Sequence, residues 1–210
     1  ETEIHLADVT LILKQPSIWL MCIMLTAVYH VFWETIEFPS FAETGGFGMS
    51  LAAATALGAT KLWMRPPGGV LAGMIGDRIS NARMMMWLFA AGIVACLYLA
   101  LMQTTPDNAW TLWVFIFPFG LLAYGLRGVF WALLYDCPVP TRVLGTAIGF
   151  ISIMGYSSDA YIPQVSAWLQ THYPTGTAYQ LFFAYVAGAA AIGLLASWLL
   201  SRLTRGQQGV

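Results

Sequence analysis

Charged side chains are scarce in this sequence. Only 9% of its 210 residues are Asp, Glu, Lys or Arg and 59% are apolar, whereas a soluble domain carries charge on roughly a quarter of its residues. The chain therefore has too little charge to cover a water-exposed surface, and its mean hydropathy is +0.70. The net charge of -1 also gives a nucleic-acid partner no basic surface to bind.

Motifs of disulfide, metal and enzyme sites are lacking as well. The three cysteines, Cys22, Cys96 and Cys137, have no CxxC or His/Cys spacing, so we predict that they are reduced and unpaired. We expect neither a metal nor another cofactor, and no enzyme, because there is no paired His/Glu motif, Ser/His/Asp set or Gly-rich phosphate loop. The chain begins at Glu1 without a signal peptide, which suggests a piece of a longer protein.

Long apolar runs, by contrast, are abundant. A helix needs ~20 mostly apolar residues to cross a membrane, and these runs are too long and too unalternating to be strands of a membrane barrel. The predicted fold is all-α, a polytopic bundle of six transmembrane helices. The predicted spans cover about residues 17–38, 49–74, 84–103, 111–134, 144–168 and 178–200.

Lys and Arg in the short loops predict the orientation of the helices. One side of the membrane would hold Glu43, Asp107 and His172 with no Lys or Arg, and the opposite side would hold all of the loop cations. Both termini are therefore expected in the cytoplasm. The cations assigned to the cytoplasmic side are Lys14, Arg78, Arg83, Arg142, Arg202 and Arg205.

A few charged residues fall inside the predicted spans, where an ionised side chain is costly unless it faces protein or water. They occupy the first, second, fourth and fifth spans, so we expect those helices to line a polar interior and the other two to be peripheral. The order lined, lined, peripheral occurs twice, as in two inverted three-helix repeats. The charged residues are Glu34, Glu37, Lys61, Arg65, Arg127 and Asp159.

The second span brings two cations together at a chain break. Lys61 and Arg65 share a helix face at i, i+4, and Pro66 and Pro67 cannot donate to the preceding turn, so the helix should bend there. This pattern predicts an anion site, and the alternative is that both cations only pair with intramembrane acids. Asp159 lies at the same predicted depth as Lys61, which suggests a Lys61 to Asp159 pair.

The first span carries a polar stripe that contains His30 and Glu34, flanked by Tyr29 and Trp33. A carboxylate in partly dry surroundings binds a proton more readily, so Glu34, with His30, is a candidate for proton coupling. The alternative is that Glu34 simply lies near interfacial water. Tyr29 and Trp33 are candidates for substrate contact.

Two motifs resemble the major facilitator superfamily of transporters. The turn GMIGDRISNAR, residues 73–83, resembles the family's loop motif Gly-x-Leu-Ala-Asp-Arg-x-Gly-Arg-Arg, with Ser80 and Asn81 in place of the expected Gly and Arg. The segment RVLGTAIG, residues 142–149, is similar to the run that opens the eleventh helix of complete members, with the Arg displaced by two residues.

Three further segments point to one branch of that superfamily. RPPGG at residues 65–69 is similar to the Arg-Pro-x-Gly-Gly of nitrate/nitrite porters, although the glycine-dense signature of their eleventh helix is absent. With RGVFWA at 127–132 and GYSSD at 155–159, the chain most resembles a little-characterised bacterial branch that is nitrate/nitrite-like.

The resemblance covers nearly the whole chain and implies the C-terminal six-helix half of a twelve-helix transporter. Residues 1–15 would end the cytoplasmic linker between halves, 16–205 would form the transmembrane domain, and 206–210 the cytoplasmic tail. The implied partners are the N-terminal half, the lipid bilayer, a small solute and protons, in a bacterial inner (plasma) membrane. The implied cytoplasmic gate comprises Gly73, Asp77, Arg78 and Arg83, with Arg127 and Arg142 beside it.

The predicted function is secondary active transport of a small inorganic or organic anion by alternating access, coupled to protons, with Arg65 as the main anion contact. One alternative is efflux of hydrophobic or cationic solutes by proton antiport, with Glu34 and Asp159 as the functional acids and the cations structural. Another alternative, from a different class, is a membrane sensor or assembly subunit that binds a ligand without moving it.

Overall fold

The computed structural model describes residues 6–208, with the side chains of residues 10–33 and 36–204. Every regular element in that range is helical, which confirms the all-α prediction. Two short 3-10 helices, Pro106–Asn108 and Thr141–Val143, precede α6 and α7. The α-helices are α1 (Leu6–Leu13), α2 (Pro16–Thr44), α3 (Leu51–Leu62), α4 (Arg65–Ile79), α5 (Asn81–Leu101), α6 (Ala109–Tyr135), α7 (Leu144–Tyr156), α8 (Ser158–His172) and α9 (Thr175–Gln208).

Four segments of the described chain are long and apolar enough to cross a membrane. They are Pro16–Thr44, Asn81–Leu101, Pro106–Tyr135 and Thr175–Thr204, and they coincide with the first, third, fourth and sixth predicted spans. The second and fifth predicted spans are instead helix pairs, α3 with α4 and α7 with α8. The chain is therefore a helical membrane protein, with two of the six expected helices interrupted.

The first interruption lies where the sequence predicts it. Trp63 and Met64 separate α3 from α4, and the Met64 amide donates to the Lys61 carbonyl at 2.9 Å in a tight turn. Pro66 and Pro67 follow at the start of α4, where a missing N–H costs nothing because first-turn amides have no helical partner. The regular pattern resumes with the Gly68 amide donating to the Met64 carbonyl.

The second interruption has no proline at the break. The hydroxyl of Ser157 donates to the Met154 carbonyl and that of Ser158 to the Gly155 carbonyl, both at 2.6 Å. These bonds compete with backbone amides for the last carbonyls of α7, and α8 begins immediately afterwards at Ser158.

Helix α2 is the centre of the bundle. It packs against α3 and α6 on one hand and against α7, α8 and α9 on the other. Helices α5 and α9 pack chiefly on each other, and their outer faces expose large apolar side chains such as Leu101 and Ile192, 80% and 58% exposed. This placement agrees with the prediction that the two spans without charged residues, 84–103 and 178–200, are peripheral and face lipid.

Glycines hold α4 close to α6. A Cβ atom on Gly68 would lie 2.8 Å from the Leu121 carbonyl oxygen, and one on Gly128 would lie 3.1 Å from the Gly69 Cα. Small residues allow helix backbones to approach closely in lipid. The two glycines of the RPPGG segment therefore serve helix packing, directly beside the break.

The connections between helices form two groups, one at each end of the bundle. At one end, Gln15 donates to the Pro138 carbonyl at 3.3 Å, and Asn81 donates to the Asp136 carboxylate at 3.0 Å. At the opposite end, Gly46 and Gly176 both lie against Thr104. Each of α2, α5, α6, α9 and the two helix pairs thus runs from one group of connections to the other.

The three cysteines are free and buried, as predicted. Cys137 lies beyond α6, where burial and then the neighbouring Asp136 carboxylate raise the pKa of its thiol to about 12. The reactive thiolate form is therefore scarce at neutral pH.

Ser80 adopts a backbone conformation that favours glycine. Its φ is 93° and its ψ is 141°, and it is the only non-glycine residue with positive φ in the described range. It ends α4 and caps α5, with its hydroxyl accepting a bond from the Arg83 amide at 3.4 Å. The loop motif that this turn resembles has Gly at the same place.

We predict that Ser80→Gly stabilises the protein by about 1 kcal/mol, because backbone strain of this kind costs on the order of 1–3 kcal/mol and a Ser to Gly change at a cap loses only about a few tenths. Thermal unfolding of the purified protein in detergent measures the effect. Ser50 is the matched control, since it caps α3 with an ordinary φ of -68°. Equal shifts for Ser50→Gly and Ser80→Gly would contradict the strain.

Candidate functional site

Phe32 of α2 is the centre of a cluster of cations and aromatic rings. The Arg127 guanidinium carbon of α6 lies 4.5 Å from the Phe32 ring centroid, and the Lys61 Nζ atom of α3 lies 5.7 Å from it. The Tyr124 ring packs edge-on at 6.1 Å. Cations over aromatic faces are stabilised by the ring quadrupole, so these contacts fix two positive charges near one ring, between three helices.

Arg127 points toward the middle of the bundle. It donates to the Tyr29 hydroxyl at 3.1 Å and lies 5.3 Å from the Tyr29 ring centroid. Tyr29 is ~20 Å along α2 from Pro16 at ~1.5 Å per residue. The sequence grouped Arg127 with the gate residues at the helix ends, and the structure does not bring it to Asp77 or Arg78. The role of Arg127 in the gate stays a prediction, and in this structure its guanidinium contacts the rings of Tyr29 and Phe32.

Arg65 is the first residue of α4, at the break, and its side chain is exposed. Among the described residues it forms no hydrogen bond or ion pair, although its charge acts on the nearby Tyr124 hydroxyl. The start of a helix carries a partial positive charge. The guanidinium and the α4 dipole therefore both favour an anion at the same place. Lys61, one turn earlier, is buried, with 4% of its surface exposed.

Asp159 lies in the first turn of α8 and accepts a hydrogen bond of 2.5 Å from the Trp33 indole. The predicted ion pair between Lys61 and Asp159 is not formed between these two described side chains. The reason is helix placement, since α3 packs against α2 and α6 whereas α8 packs against α2 and α9. Equal depth in the membrane did not place the two residues on neighbouring faces.

His30 faces away from the cluster. Its Nδ1 donates to the Thr26 carbonyl, and its Nε2 is 2.7 Å from the Tyr185 hydroxyl of α9. It lines a lateral cavity of about 610 Å³ between α2, α8 and α9. The structure therefore separates His30 from Lys61 and Arg127. The Glu34 side chain lies outside the described residues.

The residues of the predicted gate lie mostly at one end of the bundle. Asp77, Arg78 and Arg83 line a cavity of about 590 Å³ there together with Asp136, whose carboxylate accepts the bond from Asn81. Arg142 lies outside the lining of this cavity, in the 3-10 helix that precedes α7. The gate role itself stays a prediction.

Sequence reasoning missed two residues of this site. Phe32 has no polar group and looks like any apolar residue of a span, although it lies three residues from Tyr29. Gly120 of α6 packs directly against the break between α3 and α4. A Cβ atom on Gly120 would lie 2.9 Å from the Met64 Cβ. No local signal distinguishes Gly120 from the other glycines of the chain.

Cations and an acid carried by membrane helices into an aromatic interior are typical of transporters. The chain belongs to the Major Facilitator Superfamily, whose sequence profile matches residues 2–163. Its membership confirms the superfamily that the loop motifs suggest. No solved structure matches the chain.

The curated relatives include two membrane proteins of Escherichia coli K12. The chain is 24% identical to "Inner membrane protein YqcE" over 91% of this chain and 45% of that protein. It is 23% identical to "Inner membrane protein YihN" over 92% of this chain and 46% of that protein. It thus spans about half the length of both. An uncharacterized protein of Mycoplasma pneumoniae is 25% identical over 55% of this chain and 58% of its own length.

Proposed function

We propose that this chain is the C-terminal six-helix half of a secondary transporter that moves a small inorganic or organic anion by alternating access, with proton coupling. The observation that carries the proposal is Arg65, an exposed cation at the start of a helix and beside a break, whose charge acts on Tyr124 as that of Arg127 does. The names of the two Escherichia coli relatives support an inner-membrane location.

Six crossings are supported by the course of the chain. The pairs α3–α4 and α7–α8 run from one group of connections to the other, as the four continuous spans do. Each pair is the second member of a helix triplet whose third member is peripheral α5 or α9. Transporters built from inverted repeats carry such interrupted helices at the substrate site. We therefore assign 16–205 to one transmembrane domain with two three-helix repeats and cytoplasmic termini.

The charge of the site favours an anion as the substrate. Arg127 interacts with neutral groups, the Tyr29 hydroxyl and two rings, and no acid of the described range lies within ion-pairing distance, 4.0 Å, of Arg127 or Arg65. Within the described residues neither positive charge is balanced by an ion pair, which supports an anionic ligand. Lys61 would strengthen the local positive potential from its buried position, and Tyr29 and Trp33 would shape the polar wall.

Asp159 is the described acid best placed for proton coupling. Its side chain is exposed and accepts a hydrogen bond from Trp33, which lies one turn from Tyr29 on α2. A proton on Asp159 would remove a negative charge near the anion and so link substrate binding to pH. Glu34 remains a second candidate for this role, whereas His30 lies on the opposite side of α2.

The connection between α4 and α5 would be the gate toward the N-terminal half. Asp77, Arg78 and Arg83 project at its surface, and a Cβ atom on Gly73 would meet nothing within 4 Å in this chain. An open glycine face of this kind suits close packing against a further helix. The branch similar to nitrate/nitrite porters is proposed on three segments, RPPGG at 65–69, RGVFWA at 127–132 and GYSSD at 155–159.

Uptake by the full-length protein in proteoliposomes tests the function. We expect saturable uptake of at least one small anion from a panel, accelerated by an imposed pH gradient. Arg65→Ala should reduce the uptake rate by 10-fold or more, since a lost charge-assisted contact costs on the order of 1.5–3 kcal/mol. Lys14→Ala is the matched control, because Lys14 is an exposed cation outside the interior.

The same assay distinguishes anion transport from its main alternative, efflux of hydrophobic or cationic solutes. Efflux of hydrophobic cations without anion uptake by wild-type protein would overturn the proposal and make Arg65 and Lys61 structural. Anion uptake that Arg65→Ala leaves unchanged would keep the transport class and reject the site.

A further inference from the structure

A further cavity lies on the outer surface of the bundle, between α5 and α9. This α5–α9 groove has a volume of about 850 Å³. Arg83 and Arg202 line it at the end of the bundle where α5 begins and α9 ends. Deeper positions are lined by Trp87 and Trp198, with Met86 and Leu194.

The chemical character of the residues that line the groove changes along the membrane normal. Arg83 precedes Trp87 by four residues on α5, and Arg202 follows Trp198 by four residues on the antiparallel α9, so each arginine lies ~6 Å nearer the helix end than its tryptophan. The Arg202 guanidinium carbon lies 4.9 Å from the Trp198 ring centroid. Cations thus lie at the rim, aromatic rings below them and aliphatic side chains deepest.

The two guanidiniums are free to bind an anion. Among the described residues neither forms an ion pair, and no acid lines the groove. Asp136 lies in the adjoining cavity and accepts a hydrogen bond from Asn81. The Ser201 hydroxyl donates to the Trp198 carbonyl. Within the described part of the chain, the rim is therefore cationic and has no carboxylate in its lining.

The occupant must combine a negative head with an apolar body. Beyond the rim the flanking helices expose Val94 and Ile192, 69% and 58% exposed, so the groove opens to lipid. Basic pockets between transmembrane helices bind anionic lipid head groups, and tryptophan prefers the level of the head groups. A free phosphate ion would match the arginines but leave the aromatic and aliphatic walls uncovered.

We propose that the α5–α9 groove binds one anionic phospholipid, with its phosphate between Arg83 and Arg202 and an acyl chain along Trp87 and Trp198. The site is separate from the candidate substrate site and holds whether or not the substrate is an anion. Arg83 then has a role in lipid binding beside or instead of its predicted role in the gate.

Native mass spectrometry of the full-length protein, delipidated in neutral detergent, tests this site. Phosphatidylglycerol is expected to bind one site about 10-fold more tightly in wild-type protein than in Arg83→Gln/Arg202→Gln. Lys14→Gln/Arg142→Gln removes two exposed cations outside the groove and should bind as wild type does. Phosphatidylcholine should show no difference between the three proteins.

Thermal unfolding provides an independent readout on the same proteins. Phosphatidylglycerol should raise the unfolding temperature of wild type and of the control, and have a smaller effect on Arg83→Gln/Arg202→Gln. Equal phosphatidylglycerol affinity in all three proteins would overturn the proposal. Displacement of the bound lipid by inorganic phosphate at the same concentration would assign the arginines to a free anion instead.

Discussion

Gly193→Ala should lower the thermal unfolding temperature of the full-length protein by several degrees, whereas Gly188→Ala on the same helix should not lower it. A Cβ atom on Gly193 would lie 2.5 Å from the Phe89 ring and 2.7 Å from the Ala27 Cβ. Both neighbours are buried, and the Ala27 methyl has no rotamer that moves it away. Overpacking of this kind costs about 1–3 kcal/mol.

Gly188 is the matched control for this prediction. A Cβ atom there would meet nothing within 4 Å, and replacing Gly by Ala inside a helix contributes about 0.5–1 kcal/mol of stability. The two substitutions are therefore expected to shift the unfolding temperature in opposite directions. A stable Gly193→Ala protein would mean that α2, α5 and α9 meet less closely than the structure indicates.

Arg127→Gln should reduce the rate of anion uptake by the full-length protein 10-fold or more. Arg127→Lys should be as slow as Arg127→Gln. The guanidinium donates to the Tyr29 hydroxyl and covers the rings of Tyr29 and Phe32, and one lysine ammonium does not reproduce this planar contact. A hydrogen bond to a charged group contributes about 1.5–3 kcal/mol, which corresponds to the expected loss. Initial uptake rates, normalised to the amount of inserted protein, measure it.

Tyr29→Phe refines the Arg127 prediction. It removes the hydroxyl that Arg127 contacts and leaves the ring, so uptake should fall between the rates of wild type and Arg127→Gln. Full activity in Arg127→Lys would contradict the role of the guanidinium and leave only its charge. Full activity in Arg127→Gln would remove Arg127 from the site.

The sequence predicted features that depend on local chemistry. The break at Trp63 follows from two adjacent prolines, and the peripheral placement of α5 and α9 follows from the lack of charge in their membrane-spanning parts, residues 84–103 and 178–200. The second break, at Ser157, depends on hydroxyls bonding to their own helix, and serines do so in many unbroken helices. Composition and spacing therefore indicate helices and some of their interruptions, but not all.

Contacts between helices were harder to predict than their depth. Lys61 and Asp159 lie at similar predicted depth, yet α3 packs against α2 and α6 whereas α8 packs against α2 and α9, and Asp159 bonds to Trp33 instead. Arg127 was expected beside the cytoplasmic gate, and in the structure it contacts the Tyr29 and Phe32 rings. Both outcomes depend on how each helix is rotated, which a sequence without its folded neighbours does not specify.

The two interrupted helices also divide the molecule mechanically. Helix α4 packs extensively on α6 and α7 packs extensively on α2, whereas α3 and α8 make slighter contacts with their neighbours. We expect the breaks at Trp63 and Ser157 to let α3 and α8 move more than α4 and α7. Both helices lie toward the same end of the bundle, so that end is expected to be the more mobile of the two.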